Sequence, residues 1–275
     1  MQMWEGGPEP SYPAITPFQA LRGILRLLVI VVITVVGLAL FALLKGAERM
    51  GLPFGPRYQL TRAWARAVLW LLGVRIEQRG TPVPEGGAVV ANHSTWMDIL
   101  ALRVGPFLTF MAKEEVAGWP GIGLIAKLND TMFIARRAAE ANRQQIEMRE
   151  RIDAGAHLCF FPEGTSTDSR HIVPFKPALF QVYLSDDLRD TMQIQPVSLA
   201  WIPPAGQPGI FYGWWGDMGM GDSIWHIACR SSRGRVIVNW RPALRPSNFA
   251  NRKQLAAAAE QSVRQGLSEV GIEAG

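Results

Sequence analysis

The chain has 275 residues, of which 48% are hydrophobic and only 19% charged. Ordinary soluble domains carry roughly 25% charged residues, so part of this chain is expected to avoid water. Its net charge of +5 suits anionic lipid or an acidic carrier protein, whereas the dispersed basic residues and lack of any recognition motif argue against nucleic acid. The two cysteines, Cys159 and Cys229, are far apart and form no CxxC pair, which excludes a disulfide framework and a cysteine-based zinc site.

In chain order, the first predicted element is an uncharged run at 27–44, LLVIVVITVVGLALFALL, flanked by Arg22 and Arg26 before it and by Lys45 and Arg49 after it. The run is too long for a signal peptide and no A-x-A-like site follows it. It is very apolar for a core helix, so it reads as a membrane anchor at the short end of spanning length. Positive charge is denser on the C-terminal side, where Arg57, Arg62 and Arg66 follow. That asymmetry places the rest of the chain in the cytoplasm, on the cytoplasmic face of the inner membrane. A second segment, 58–74, mixes Arg62, Arg66 and Arg75 with Trp64, Trp70 and leucines, as a helix in the headgroup layer would. The competing reading is a core-packing helix with solvated arginines. The two helices could cross the bilayer or form a hairpin in one leaflet, and residues 1–73 are taken as tail and anchor.

From residue 74 to 275 the pattern becomes that of an α/β domain. Strands are expected at 74–78, 88–91, 108–111, 132–135, 158–161, 194–202, 210–214 and 236–240. Helices are expected at 97–104, 121–128, 138–154, 175–185 and 248–267. Strands alternating with crossover helices imply a largely parallel sheet covered by helices on both faces.

Two motifs sit where predicted strands end. The first is Asn92-His93-Ser94-Thr95-Trp96-Met97-Asp98. In one regular helix His93 and Asp98 would stand about 140° apart. They meet if His93 lies in the strand-to-helix turn and Asp98 in the first helical turn, with Ser94 or Thr95 as N-cap. Asp98 would then hold one imidazole nitrogen and leave the other as a general base. The second motif is Phe160-Phe161-Pro162-Glu163-Gly164-Thr165-Ser166, which puts an acid and a flexible turn at the same edge of a parallel sheet. Gly164-Thr165-Ser166-Thr167-Asp168 lacks the second glycine of a nucleophile elbow, which makes a serine hydrolase a poor reading. The four histidines, His93, His157, His171 and His226, show no metal-ligand spacing, and no metal is expected.

Together these motifs resemble the 1-acylglycerol-3-phosphate O-acyltransferase (lysophospholipid acyltransferase) family. The NHxxxxD block is matched by Asn92, His93 and Asp98, and FPEGT by Phe161, Pro162, Glu163, Gly164 and Thr165. A lysine block resembles Ala112-Lys113-Glu114-Glu115-Val116, an F-I-x-R block resembles Phe133-Ile134-Ala135-Arg136, and a proline-bearing strand resembles 194–198. Two departures stand out: Ala135 where many members carry Asp, and Ser166 where many carry an Arg thought to grip the acceptor's phosphate. The stretches 166–180 and 214–218 look like the lyso-ornithine lipid acyltransferase branch.

The resemblance implies a glycerolipid acyltransferase-like fold behind an N-terminal membrane hairpin, with 74–275 as the acyltransferase domain. It implies transfer of a fatty acyl group from acyl-ACP or acyl-CoA, as co-substrate without a further cofactor, to the free hydroxyl of a lysolipid in the membrane. His93 and Asp98 would be catalytic. Lys113 and Arg136 would bind the acceptor's anionic part, with Arg137 and Lys176 as weaker candidates. Glu163, Gly164 and Thr165 would position the acceptor, and backbone N–H groups after His93 would hold the oxyanion. Two rival readings remain on the same fold, a thioester hydrolase and a non-catalytic lipid-binding protein. Free fatty acid released without acceptor would mark the first, while the retention of both His93 and Asp98 speaks against the second.

Overall fold

The computed structural model describes residues 4, 6–7, 10–51, 55–83, 87–135, 140–273 and 275. Helix α1, Pro17–Arg49, opens on a capping box in which Thr16 and Gln19 bond each other's backbone N–H. Helix α2 is Pro56–Leu71. Strand β1 (Val74–Arg79), strand β2 (Gly87–Ala91), helix α3 (Asp98–Arg103) and strand β3 (Thr109–Lys113) follow. After them come α4 (Ile122–Leu128), β4 (Met132–Ile134), α5 (Ala141–Asp153) and β5 (Leu158–Phe160). The chain ends with a 3₁₀ helix, Pro177–Leu184, then β6 (Gln193–Ile202), α6 (Met220–Arg230), β7 (Gly234–Trp240) and α7 (Arg252–Ser268).

The strands form one sheet in the order β1-β7-β6-β2-β5-β3-β4. Among the named strands of the described residues only the β6–β7 pairing is antiparallel, so β6, β2, β5, β3 and β4 all end at the same edge. That edge is where ligands collect in open α/β sheets. The central strands are buried on both faces and divide their side chains between two cores by simple alternation. Val89 and Ala91 of β2 face a core shared with Val68, Leu69 and Leu72 of the α2 region, Leu102 of α3 and Ile227 of α6. Ala88 and Val90 face the other core, with Met148 of α5, Phe180 and Tyr183 of the 3₁₀ helix, and Ala259 and Val263 of α7.

Helix α1 lies lengthwise against the domain. Near its start, Arg22 Nε and Arg26 donate to the carbonyls of Cys229 (3.1 Å), Ala228 (2.9 Å) and Ser231 (2.8 Å) at the end of α6. Cations there complement the dipole of that helix. At its other end Lys45 pairs with Asp130 at 2.8 Å and Glu48 with Arg57 at 2.8 Å. The outward side carries an unbroken apolar face from Phe18 through Leu28, Val32 and Val36 to Leu43, all exposed. Water does not tolerate a patch of that length, and it is the surface a membrane anchor presents.

Three expectations change. The segment expected in the headgroup layer is a core helix: Thr61, Ala65, Val68 and Leu69 of α2 are buried, and a stripe of Gln59, Ala63, Arg66 and Trp70 stays exposed. The strand expected at 210–214 is a run of turns, because Phe211 and Tyr212 are both drawn into the core and Tyr212 Oη meets Ser231 Oγ at 2.8 Å. Helix α6 was not expected, since Gly216, Gly219 and Gly221 disguise its approach as loop, although Ile224, Ile227 and Ala228 follow helical spacing.

Helix α1 approaches α6 through Gly23, where an added Cβ would collide with Cys229 Sγ and lie 3.2 Å from the Trp225 ring. Gly23→Ala gains up to about 1 kcal/mol of helix propensity, whereas overpacking costs about 1–3 kcal/mol. Thermal unfolding in detergent micelles should therefore show Gly23→Ala destabilising the parent but not a Cys229→Ala background. Equal destabilisation in both backgrounds would refute this contact.

Candidate active site

The site begins at the carboxyl end of β2. Asn92 is buried, and its side-chain amide continues the ladder onto β6: Nδ2 donates to the Leu199 carbonyl at 3.0 Å, and Oδ1 accepts from the Leu199 N–H at 2.8 Å. An asparagine side chain carries the same donor and acceptor as a peptide group, which suits it to this position. His93 then leaves the sheet with its ring nearly parallel to Phe161, the centroids 4.2 Å apart.

Asp98 opens helix α3 and is fully buried. Its Oδ2 lies 2.8 Å from His93 Nδ1 and accepts the N–H groups of Ser94 at 2.7 Å and Thr95 at 2.9 Å. Its Oδ1 accepts from Trp201 Nε1 on β6 at 2.7 Å. A carboxylate that accepts on both oxygens places the shared proton on His93 Nδ1, leaving Nε2 as the basic nitrogen. Among the described residues Nε2 has no hydrogen bond, and the His93 side chain keeps 19% of its surface exposed. The expected N-cap runs the other way: neither Ser94 nor Thr95 caps the helix, and Asp98 instead collects their N–H groups. These two N–H groups are therefore committed to Asp98.

The second motif grips His93 by its backbone. Glu163 is fully buried; its Oε1 accepts the His93 N–H at 2.7 Å and its Oε2 the Val173 N–H at 2.8 Å. Both oxygens are occupied by main chain, so Glu163 positions the histidine where acceptor contact was expected. Burial pushes its carboxyl up to about 8, opposed by those two N–H groups and reinforced by the nearby charge of Asp98. Gly164 takes the left-handed φ of +68° needed to close the turn onto the Phe161 carbonyl at 3.0 Å. Thr165 is buried, and Thr167 donates its N–H to the His93 carbonyl at 2.9 Å while its hydroxyl donates to the His171 carbonyl at 2.8 Å.

Lys113 ends β3 at the same sheet edge, half-buried and in register with Ile134. Arg136 and Arg137 lie outside the described residues. Lys176 precedes the 3₁₀ helix, and its N–H bonds the Pro162 carbonyl at 3.0 Å. The other histidines differ from His93. Burial pushes His157 and His226 down to about 4, which keeps them neutral, and His171 pairs with Asp168 at 2.9 Å. Cys159 is fully buried and its thiol is pushed up by that burial, so it is inert. Among the described residues no three His, Cys, Asp or Glu side chains converge as a metal site. The sequence motifs did not single out Trp201, Thr167 or Val173; a Trp inside a buried strand is the one signal available, since its N–H must find a partner.

An acyltransferase family model matches residues 74–200. The chain is 38% identical to a lyso-ornithine lipid O-acyltransferase of Rhodobacter capsulatus, over 97% of this chain and 98% of that one. It is 30% identical to the lyso-ornithine lipid O-acyltransferase of Pseudomonas aeruginosa, over 90% and 94% of the two chains. The crystal structure of a 1-acyl-sn-glycerophosphate acyltransferase from Thermotoga maritima superposes with a TM-score of 0.65 at 20% identity, covering 92% of this chain and 97% of that one. That likeness shows a shared fold.

Two predictions follow from this geometry. A hydrogen bond to a charged group is worth about 1.5–3 kcal/mol. Trp201→Phe, which keeps an aromatic filler and deletes the donor to Asp98, should lower kcat roughly tenfold with the acceptor KM unchanged. An unchanged kcat would show that the Trp201 bond does not support the pair. The raised Glu163 carboxyl contributes stability that is full below the unfolded value of 4.5 and is lost as pH rises toward about 8. Glu163→Gln removes this titration, so its melting temperature should vary less between pH 5 and 8 than the parent's. Parallel melting curves across that window would contradict the assignment.

Proposed function

This chain belongs to the acyltransferase family that includes the lyso-ornithine lipid O-acyltransferases, and from that premise we propose that it acylates the free hydroxyl of a lyso-ornithine lipid. The observation that carries the chemistry is the His93–Asp98 contact of 2.8 Å, with Asp98 locked by three further N–H donors and His93 Nε2 left open.

In the proposed reaction His93 Nε2 takes the acceptor's hydroxyl proton as that oxygen attacks the thioester carbonyl. The C–O bond forms, the tetrahedral intermediate expels the thiolate, and the imidazolium returns its proton to the sulfur. Asp98 orients the ring and stabilises its charged form; general-base help of this kind is worth on the order of 10² to 10⁴ in rate. The thiol is a good leaving group, so transfer needs no covalent enzyme intermediate. The donor is proposed to be acyl-ACP or acyl-CoA, either of which a basic surface attracts. Lys113 and Arg136 are proposed to face the anionic part of a substrate, with Gly164 and Thr165 shaping the acceptor side.

Two features favour the ornithine acceptor over a phosphate one. The relatives matched along nearly their whole length bear that name. Position 166 is a half-buried serine, which cannot make the bidentate contact by which a guanidinium grips a phosphate dianion. The apolar face of α1 is proposed to seat the protein in the inner membrane with the domain in the cytoplasm, as the charge asymmetry of its flanks suggests.

The test offers purified protein in lipid–detergent micelles a labelled acyl-carrier thioester, with lyso-ornithine lipid and lysophosphatidate in separate reactions. Acylation of the first with His93→Ala reduced at least a hundredfold is expected. Acylation of lysophosphatidate alone would reassign the acceptor. Fatty acid release without any acceptor product would make the protein a hydrolase, and an undiminished His93→Ala would remove His93 from the mechanism.

A further inference from the structure

The described residues of segment 4–16 have no regular secondary structure, yet they run from the catalytic loop to the start of α1. The Trp4 N–H donates to Thr165 Oγ1 at 3.4 Å. The Trp4 indole lies 5.4 Å from the His171 ring and 6.0 Å, edge-on, from Trp215. Trp215 Nε1 in turn donates to the Gly7 carbonyl at 3.3 Å. Farther along, Tyr12 packs 4.2 Å from His226 and 6.1 Å from Phe211, and Arg230 bonds the Pro13 carbonyl.

Thr165 has a defined relation to the chemistry. It sits in a five-residue loop whose two ends both hold His93: Glu163 takes the His93 N–H, and Thr167 donates to the His93 carbonyl. The centre of such a loop cannot stray far from the histidine it brackets. The Trp4 N–H bonds that centre. The backbone is shaped for this, because Gly6 takes a left-handed φ of +55°, and an added Cβ there would strike the six-membered ring of Trp4. The glycine lets the chain fold tightly enough to lay the indole against Trp215.

We propose that Trp4 is a specificity-determining residue, a wall at the acceptor side of the site that favours a lysolipid hydroxyl over water. The inference rests on the acyltransferase reading above and adds to it the element that suppresses hydrolysis. Water is the competing nucleophile for any thioester beside a general base. A broad aromatic surface next to Thr165 excludes it and supplies contact area to the lipid. The described residues that follow Trp4 lead in the chain to α1, so the proposed wall and the anchor lie within one short segment.

The experiment compares the full-length parent with Trp4→Ala, Trp4→Phe and Gly6→Ala in micelles. It measures kcat, acceptor KM and the fraction of thioester lost to water. Losing one aromatic contact should raise the acceptor KM of Trp4→Ala about fivefold to tenfold. Its hydrolysed fraction should rise several-fold, with kcat within about twofold of the parent. Trp4→Phe should fall near the parent, and Gly6→Ala should mimic Trp4→Ala although it keeps the indole. Acceptor KM and hydrolysed fraction unchanged in both Trp4→Ala and Gly6→Ala would overturn the proposal. So would a loss of kcat that follows a lowered melting temperature, which would make Trp4 a folding residue. If the parent acylates no lysolipid, the acyltransferase reading fails on its own. Lysolipid binding without donor then decides the wall separately: it is weakened in Trp4→Ala if the proposal holds and equal to the parent if it does not.

Discussion

The constraint on which the rest of the site depends is the burial of the Asp98 carboxylate. A charge removed from water is costly unless each lone pair finds a donor. Here four N–H groups converge on two oxygens, from His93, Ser94, Thr95 and Trp201. Each donor requires a different piece of the fold. The turn after β2 must bend so that two consecutive N–H groups point inward. Helix α3 must begin at Asp98, and β6 must run beside β2 in a register that carries the Trp201 indole to the same point. Asn92 secures that register by bonding both sides of Leu199. A slip of one residue between β2 and β6 would turn Trp201 to the other face of the sheet and leave Asp98 short of a donor.

Glu163 extends the same logic to the backbone of the histidine. His93 is held at three places: its ring by Asp98, its N–H by Glu163 and its carbonyl by Thr167. Two buried carboxyl groups thus hold one histidine with separate tasks. Asp98 faces the imidazole ring, where charge would develop in the proposed proton transfer. Glu163 faces the main chain, where no charge develops. In the proposed transfer, groups already fixed in position would need no reorganisation, and this is the main way that enclosed polar sites accelerate proton transfer.

Much of this was legible in the sequence, and the reasons for the gaps are physical. Strand alternation, the two turn motifs and their placement at one sheet edge all follow from local pattern, so β2, β5 and the residues after them fall where expected. The helix at 58–74 was harder, because arginines beside Trp and Leu serve both a headgroup layer and a core helix with a solvated stripe. Burial of Ala65 and Leu69 distinguishes the two only in three dimensions. Phe211 and Tyr212 mimicked a strand because hydrophobicity does not tell whether a side chain is buried by a ladder or by a turn. The task of Glu163 was misread for a related reason. An acid at a strand end before glycine looks like a ligand contact, and only the approach of Val173 and the His93 backbone reveals both oxygens to be occupied. Trp201 was invisible because its partner lies 103 residues away.

The placement of α1 bears on how a membrane lipid could reach such an enclosed base. Both ends of the helix bond the same domain, at Cys229 and Ser231 on one side and at Asp130 on the other. The helix is about 50 Å long at 1.5 Å per residue, with one face packed on α2 and α6 and the other apolar and exposed. Helix α6 connects that face to the chemistry, since Ser223 accepts from Trp96 Nε1 at 3.2 Å, and Trp96 lies between His93 and Asp98 in the chain. The dyad loop is therefore two contacts from the lipid-facing helix. In the proposed reaction, an acceptor lying in the leaflet with its headgroup at the interface would need little extraction to present its hydroxyl to His93, and a short apolar path costs less than drawing acyl chains through water.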